Sequence, residues 1–171
     1  MGTRSLTYIR ESEKSAAFLC IYRQFDGYPS GMGKDLYTIL KGYKIVNGYT
    51  IDNSACVICG AQQYVHNNDV FFAERYPKAQ GHTFESKRIA NGINDLAGTI
   101  VENLKNGIGG VYIYPPRTKN AAQEYVYDVY MHKGVLSMKV TKRGYSDEPS
   151  KVLYTGPVDT FYTFIETLEE S

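Results

Sequence analysis

Tryptophan is absent from this chain, and cysteine and histidine occur only three times each. So few cysteines, in an odd number, exclude the densely disulfide-stapled class of secreted domains. They point to a reducing compartment, the cytoplasm of a bacterium or of an infected cell. Cys56-Val57-Ile58-Cys59 has the C-x-x-C spacing of redox and zinc sites. A second cysteine pair is missing, however, and neither His66 nor His82 completes a zinc pattern; the alternative is that Cys56 and Cys59 share a buried helix face. His66, His82 and His132 form no H-x-x-x-H pair, so the commonest signature of a metal-dependent hydrolase is lacking. No apolar run approaches the length of a membrane span and no secretory leader is recognised, so a soluble chain without a membrane partner is expected. Excess charge is lacking too: 19 Lys and Arg face 18 Asp and Glu, a formal net charge of +1. A binder of nucleic-acid backbone carries a strongly basic face, so a nucleic-acid polymer is not the expected partner.

Tyrosine, by contrast, is abundant, with 16 in 171 residues. Its ring stacks and its hydroxyl hydrogen-bonds, which suits half-buried sheet surfaces and equally the recognition of flat ligands. The length and the lack of repeats or linkers predict one domain over 1–171. Ser5 to Arg10 alternates and pairs as an antiparallel hairpin with Phe18 to Arg23. Gly33 to Lys44 reads as a helix through Leu36, Ile39, Leu40 and Tyr43, Asn47-Gly48 as a turn, and Ser54 to Val65 as a buried helix or strand. Residues 68–82 have no clean period and are expected to form an irregular insertion or lid. Ser86 to Lys105 reads as the longest helix, stopped near Gly107. Gly110 to Tyr114 is a strand, Glu124 to Met131 and Val135 to Thr141 a hairpin, Val152 to Tyr154 a strand, and Val158 to Leu168 a helix opened by Pro157. The order strands, helices, strands, helix predicts an α+β fold: a mostly antiparallel sheet with helices packed on one face.

The chemistry-bearing stretch is Tyr22-Arg23-Gln24-Phe25-Asp26-Gly27-Tyr28-Pro29-Ser30-Gly31-Met32-Gly33-Lys34, which joins a predicted strand to a predicted helix. Gly27, Gly31 and Gly33 allow close backbone approach, while Arg23 and Lys34 bracket them with positive charge, a combination that suits an anion. The spacing matches neither G-x-x-x-x-G-K-[ST] nor G-x-G-x-x-G, because Asp35 follows Lys34, and no cofactor is expected. The alternative is that Asp26-Gly27-Tyr28-Pro29 is a tight turn and the later glycines serve the next helix. As a ligand site the loop would use Arg23 and Lys34 as anion partners, Gly31 and Gly33 for close approach, Phe25 and Tyr28 for stacking, and Asp26 beside them. Arg88, opening the long helix, would add charge.

Met1 to Thr7, the Tyr22 to Gly33 loop, Asn91-Gly92, Gly109 to Pro115 and Glu124 to Tyr127 together resemble a family of small uncharacterised proteins of bacteria and their phages. Residues 68–82 look like an addition relative to its shorter members. The resemblance carries no established activity. Its phage context implies an anti-defence role, of the kind in which a protein sponge sequesters a cyclic or ADP-ribose-type nucleotide signal. The expected partner is therefore a small phosphorylated nucleotide, held without catalysis. Two alternatives stand beside it: a hydrolase or phosphodiesterase of such a nucleotide using Asp26 or a histidine, and an interaction module whose Tyr-rich face blocks a host effector. Tyr-rich sheet edges that pair between copies would give a homo-oligomer.

Overall fold

The computed structural model describes residues 2–46, 88–107 and 109–169. The Asn47-Gly48 turn, the 54–65 element, Cys56, Cys59, His66, His82 and the 68–82 insertion lie outside the described residues. The chain forms two compact units, Met1–Lys41 with Ala97–Ser171, and Gly42–Leu96.

The first unit is built on a six-stranded sheet in the order β5-β2-β1-β6-β7-β8. At its centre, β1 (Ser5–Ile9) is buried along its whole length. Side chains alternate across a strand, so Leu6 and Tyr8 enter one face while Ser5, Thr7 and Ile9 enter the other. Both faces are covered, and the hydroxyls Ser5 Oγ and Thr7 Oγ1 are buried there without a hydrogen-bond partner among the described residues. β2 (Leu19–Arg23) pairs with β1 as the expected antiparallel hairpin, Ser5 opposite Arg23. β5 (Val111–Tyr114) flanks β2, with Arg23 opposite Val111. The hairpin of β6 (Tyr125–His132) and β7 (Val135–Lys142) closes through Lys133 and Gly134, whose φ angles of +50° and +78° fit a tight two-residue turn. β8 (Lys151–Pro157) completes the other edge. All of these pairs are antiparallel except β1 with β6, which run parallel with Ser5 beside Tyr125.

Helices cover the face that carries Ile9, Ile21, Tyr127, Val129, Met138 and Val140. They are α1 (Lys34–Leu40), α2 (Gly92–Lys105, its portion from Ala97 belonging to this unit) and α3 (Phe161–Glu169). Leu36, Leu40, Ile100, Leu104, Phe161 and Ile165 are all buried. Rings of α1 and α3 meet where Tyr37 and Tyr162 lie 5.6 Å apart, and Phe161 packs edge-on to Tyr154 of β8 at 5.1 Å. On the opposite face, Leu6, Tyr8, Cys20 and Tyr22 form a buried cluster flanked by Ala17, Tyr114, Ala121 and Val126. Tyr22 stacks on Tyr114 at 4.9 Å and 5° and lies 6.0 Å from Tyr112. The tyrosine excess is thus largely a sheet-surface device, supplying apolar area with a hydroxyl at its rim. No described helix is long and apolar enough to cross a membrane.

In the second unit, β3 (Lys44–Val46) pairs in parallel with β4 (Ile89–Asn91). Two expected helices are therefore shorter than their apolar spacing suggests. α1 stops at Leu40, and Lys44 to Val46 becomes strand. The long helix begins at Gly92, because Ile89 to Asn91 is drawn into the β3 pairing and Asn91 N–H donates to the Asp95 carboxylate at 2.7 Å, the bond that caps a helix start. Ile89 and Ile93 share helical spacing in the sequence but belong to different elements.

Cys20, fully buried in the tyrosine cluster, has its thiol pushed by desolvation from 9.0 up to about 11. The folded state keeps the neutral thiol, so as pH rises from 9.0 toward 11 the unfolded chain loses this proton first. Stability from this group should be intact below that window and decline across it, as denaturant midpoints measured over the interval will show. Native protein should resist iodoacetamide at Cys20 at neutral pH and react once unfolded; rapid native alkylation would contradict the packing.

Candidate functional site

The loop after β2 is held down by Arg23. This side chain is 4 % exposed, set on the helix-covered face by its place opposite Ser5. Its Nε donates to the Phe25 carbonyl at 2.8 Å, and one terminal nitrogen donates to the Asp35 carboxylate at 2.6 Å and to Met32 Sδ at 3.2 Å. A buried cation must be paired and hydrogen-bonded, and here the three partners come from the start of the loop, its end and α1. The positive charge expected to meet an external anion is therefore neutralised internally by Asp35, whose side chain stays half exposed.

The rest of the loop follows from this clamp. Asp26 adopts φ +55°, its carbonyl accepting Met32 N–H at 2.7 Å, so it is a turn residue. Its carboxylate accepts from the Tyr28 hydroxyl at 3.1 Å, and this bond holds the Tyr28 phenol above its ordinary range. Phe25 and Tyr28 are 43 % and 38 % exposed, with the Phe25 ring packed beside Gly2 and Gly110. Pro29–Gly33 forms a single π-helical turn leading directly into α1, a feature that often accompanies functional sites. Close packing explains two of the glycines. A Cβ on Gly31 would lie 2.3 Å from the Asp26 carbonyl oxygen, and one on Gly33 would lie 2.9 Å from the Phe161 ring and 3.3 Å from that of Tyr127. The fully buried Tyr127 hydroxyl donates to the Gly27 carbonyl at 2.7 Å, fixing the loop to β6.

Behind the clamp lies a cavity of about 290 Å³ lined by Arg23, Asp35, Thr38, Ile39, Asn103 and Val111, among others. Asp35, Thr38 and Ile39 follow the i, i+3, i+4 spacing that puts them on one face of α1. Asn103 comes from α2, donating its side-chain NH2 to Thr99 O at 2.8 Å. Lys105 Nζ donates to the carbonyl of the lining residue Val111 at 3.2 Å. Lys34 is exposed and stands one helical turn before Thr38, flanking the lining face without being part of it. Of the residues proposed from sequence, Arg23 lines this cavity; Phe25, Asp26, Tyr28, Gly31 and Gly33 shape the loop before it. Arg88 belongs to the second unit, its guanidinium 5.6 Å from the centre of the Tyr43 ring. Thr38, Ile39, Asn103 and Val111 carry no motif; only the helical spacing of the first two from Asp35 could have signalled them.

Gly31→Ala is expected to destabilise by more than about 2 kcal/mol, since its methyl meets backbone. Tyr127→Phe should cost about 1–2 kcal/mol by leaving the Gly27 carbonyl unpaired. Denaturant unfolding measures both; a wild-type midpoint for Gly31→Ala would show that the loop is not packed this way. Comparison of the chain with protein-family models, with curated proteins and with solved structures returned no match.

Proposed function

We propose that the protein binds, without turning it over, a small phosphorylated nucleotide whose heterocycle enters the Arg23–Asp35 cavity and whose phosphate stays at the rim. The single observation that carries this is the composition of the cavity wall. The half-exposed Asp35 carboxylate, its charge balanced by Arg23, presents an acceptor, joined by the Thr38 hydroxyl and the Asn103 amide and backed by Ile39, Leu104 and Val111. Such a wall matches the donor-acceptor edge and apolar faces of a nucleobase better than a phosphate, which would have to compete with the Asp35 carboxylate for Arg23. The anionic part then belongs beside Lys34 and Lys105, with the exposed rings of Phe25 and Tyr28 lying along the same loop. At about 290 Å³ the cavity stands at the small end of ligand pockets, so only one nucleoside moiety of an ADP-ribose-type or cyclic dinucleotide signal would be enclosed. Sequestration of that signal during infection is the role the phage resemblance suggests.

Non-catalytic binding is preferred to hydrolysis because Asp26, the carboxylate considered as a base, is a turn residue bonded to Tyr28. Among the described residues, the cavity lining brings no second carboxylate or histidine next to Asp35. A protein-interaction role is favoured by one separate observation: β5 is an edge strand with Tyr112 and Ile113 54 % and 53 % exposed, which would let copies pair edge to edge into a homo-oligomer.

Calorimetry with adenosine monophosphate and ADP-ribose tests the proposal. Saturable binding with the ligand recovered intact by chromatography is expected. Asn103→Leu and Lys34→Ala, both at exposed positions, should each weaken binding roughly tenfold, as loss of one good polar contact implies. Unchanged affinity in both variants rejects the site, and appearance of product identifies a hydrolase instead.

A further inference from the structure

The sheet face opposite the helices carries a second cavity, of about 380 Å³, that the loop and its chemistry do not involve. It is lined by Tyr8 of β1, Arg10 just after it, Ala16 and Ala17 of the β1–β2 connection, Val126 of β6, and Pro116 to Lys119 of the segment leaving β5. Three cations, Arg10, Arg117 and Lys119, thus converge on one concavity in a chain whose net charge is only +1.

Their roles differ. Arg10 is fixed: Nε pairs with Asp128 at 2.7 Å, a terminal nitrogen donates to Ser15 O at 3.0 Å, and the guanidinium lies 5.0 Å from the centre of the Tyr8 ring. Asp128 is thereby spent on Arg10, with Lys139 facing it from β7 in register. Arg117 and Lys119 are exposed, and among the described residues neither side chain has a hydrogen bond or ion pair. Their backbone is nevertheless held in place. Thr118 N–H donates to Pro115 O at 3.0 Å to close a turn, the Pro115-Pro116 pair stiffens it, and the Tyr8 hydroxyl donates to the Thr118 carbonyl from the sheet below. Two cations without carboxylate partners are thus displayed on a preset turn, above a floor of Tyr8, Ala16, Ala17 and Val126.

We propose that this cavity binds a small organic phosphate monoester, its phosphate gripped by Arg117 and Lys119 and its apolar or aromatic portion resting against Tyr8, Ala17 and Val126. Arginine offers a planar fork of donors to phosphate oxygens and lysine a mobile point charge, so together they supply the charge-assisted bonds that a dianionic group needs. The volume lies within the range of small-molecule pockets. This site is independent of the Arg23–Asp35 cavity: side chains alternate along β1 and β2, so Tyr8 points away from the face on which Arg23 lies, and Arg10 pairs with Asp128, the residue of β6 beside Tyr8; one small ligand cannot fill both.

The test is calorimetric titration of the intact protein with phenyl phosphate, and separately with inorganic phosphate and benzyl alcohol. Phenyl phosphate should bind saturably, more tightly than either fragment, and more weakly as salt is raised. The double variant Arg117→Ala with Lys119→Ala should weaken it roughly ten- to a hundredfold, as loss of charge-assisted contacts implies, with an unchanged thermal midpoint because both side chains are exposed. Asn103→Leu, in the other cavity, should leave it untouched. Absence of saturable binding, equal affinity in the double variant, or inorganic phosphate binding as tightly as phenyl phosphate would overturn the proposal.

Discussion

The buried guanidinium of Arg23 organises the loop after β2 and the cavity behind it. A cation at 4 % exposure is tolerable only if its donors are used, and Arg23 uses them on the Phe25 carbonyl, Met32 Sδ and the Asp35 carboxylate. These partners belong to the first residues of a loop, its last turn, and the helix it feeds. One side chain on β2 therefore sets where α1 begins, and with it the wall of the cavity. The Arg23–Asp35 pair is half exposed on its acid side, so its value lies more in geometry than in net stabilisation.

Around this clamp the packing is collective. The Pro29–Gly33 turn sits where Gly33 touches both Phe161 of α3 and Tyr127 of β6, while the Tyr127 hydroxyl reaches the Gly27 carbonyl. Sheet, loop and two helices thus meet at one small residue. A loop fixed in this manner is a preformed wall, and under the proposed function it would spare a ligand part of the cost of ordering. The two cavities divide the chemistry by face. The helix-covered side offers a neutral donor-acceptor pair, and the opposite side a fixed turn carrying cations.

Much of the fold was legible because it is local. The β1–β2 hairpin, the β6–β7 hairpin around Lys133-Gly134, and the helix after Pro157 each follow from alternation, turn chemistry or helical spacing within a few residues. The parallel pairing of β1 with β6 was not legible: Ser5 and Tyr125 meet across 120 positions of chain, and no local period encodes that register. The same holds for Ile89 to Asn91, whose helical spacing lost to strand pairing with Lys44 to Val46. In the candidate site, the glycine-rich loop could be found from composition, since Gly31 and Gly33 are glycines for steric reasons. That Arg23 would be buried and Asp35 would neutralise it could not, because burial is a property of the sheet face and not of the loop. Arg117 and Lys119 look like ordinary surface charges until the Tyr8 hydroxyl is seen to hold the turn between them.

The central claim is that Arg23 and Asp35 act as one internal clamp. A double-mutant cycle on unfolding free energy, using Arg23→Met, Asp35→Asn and the pair together, measures it most directly. The account predicts a coupling of about 0.5–3 kcal/mol, as for contacting residues in one network. Additive losses with no coupling would mean that Arg23 is not held by Asp35, and the cavity wall built on that pair would not stand.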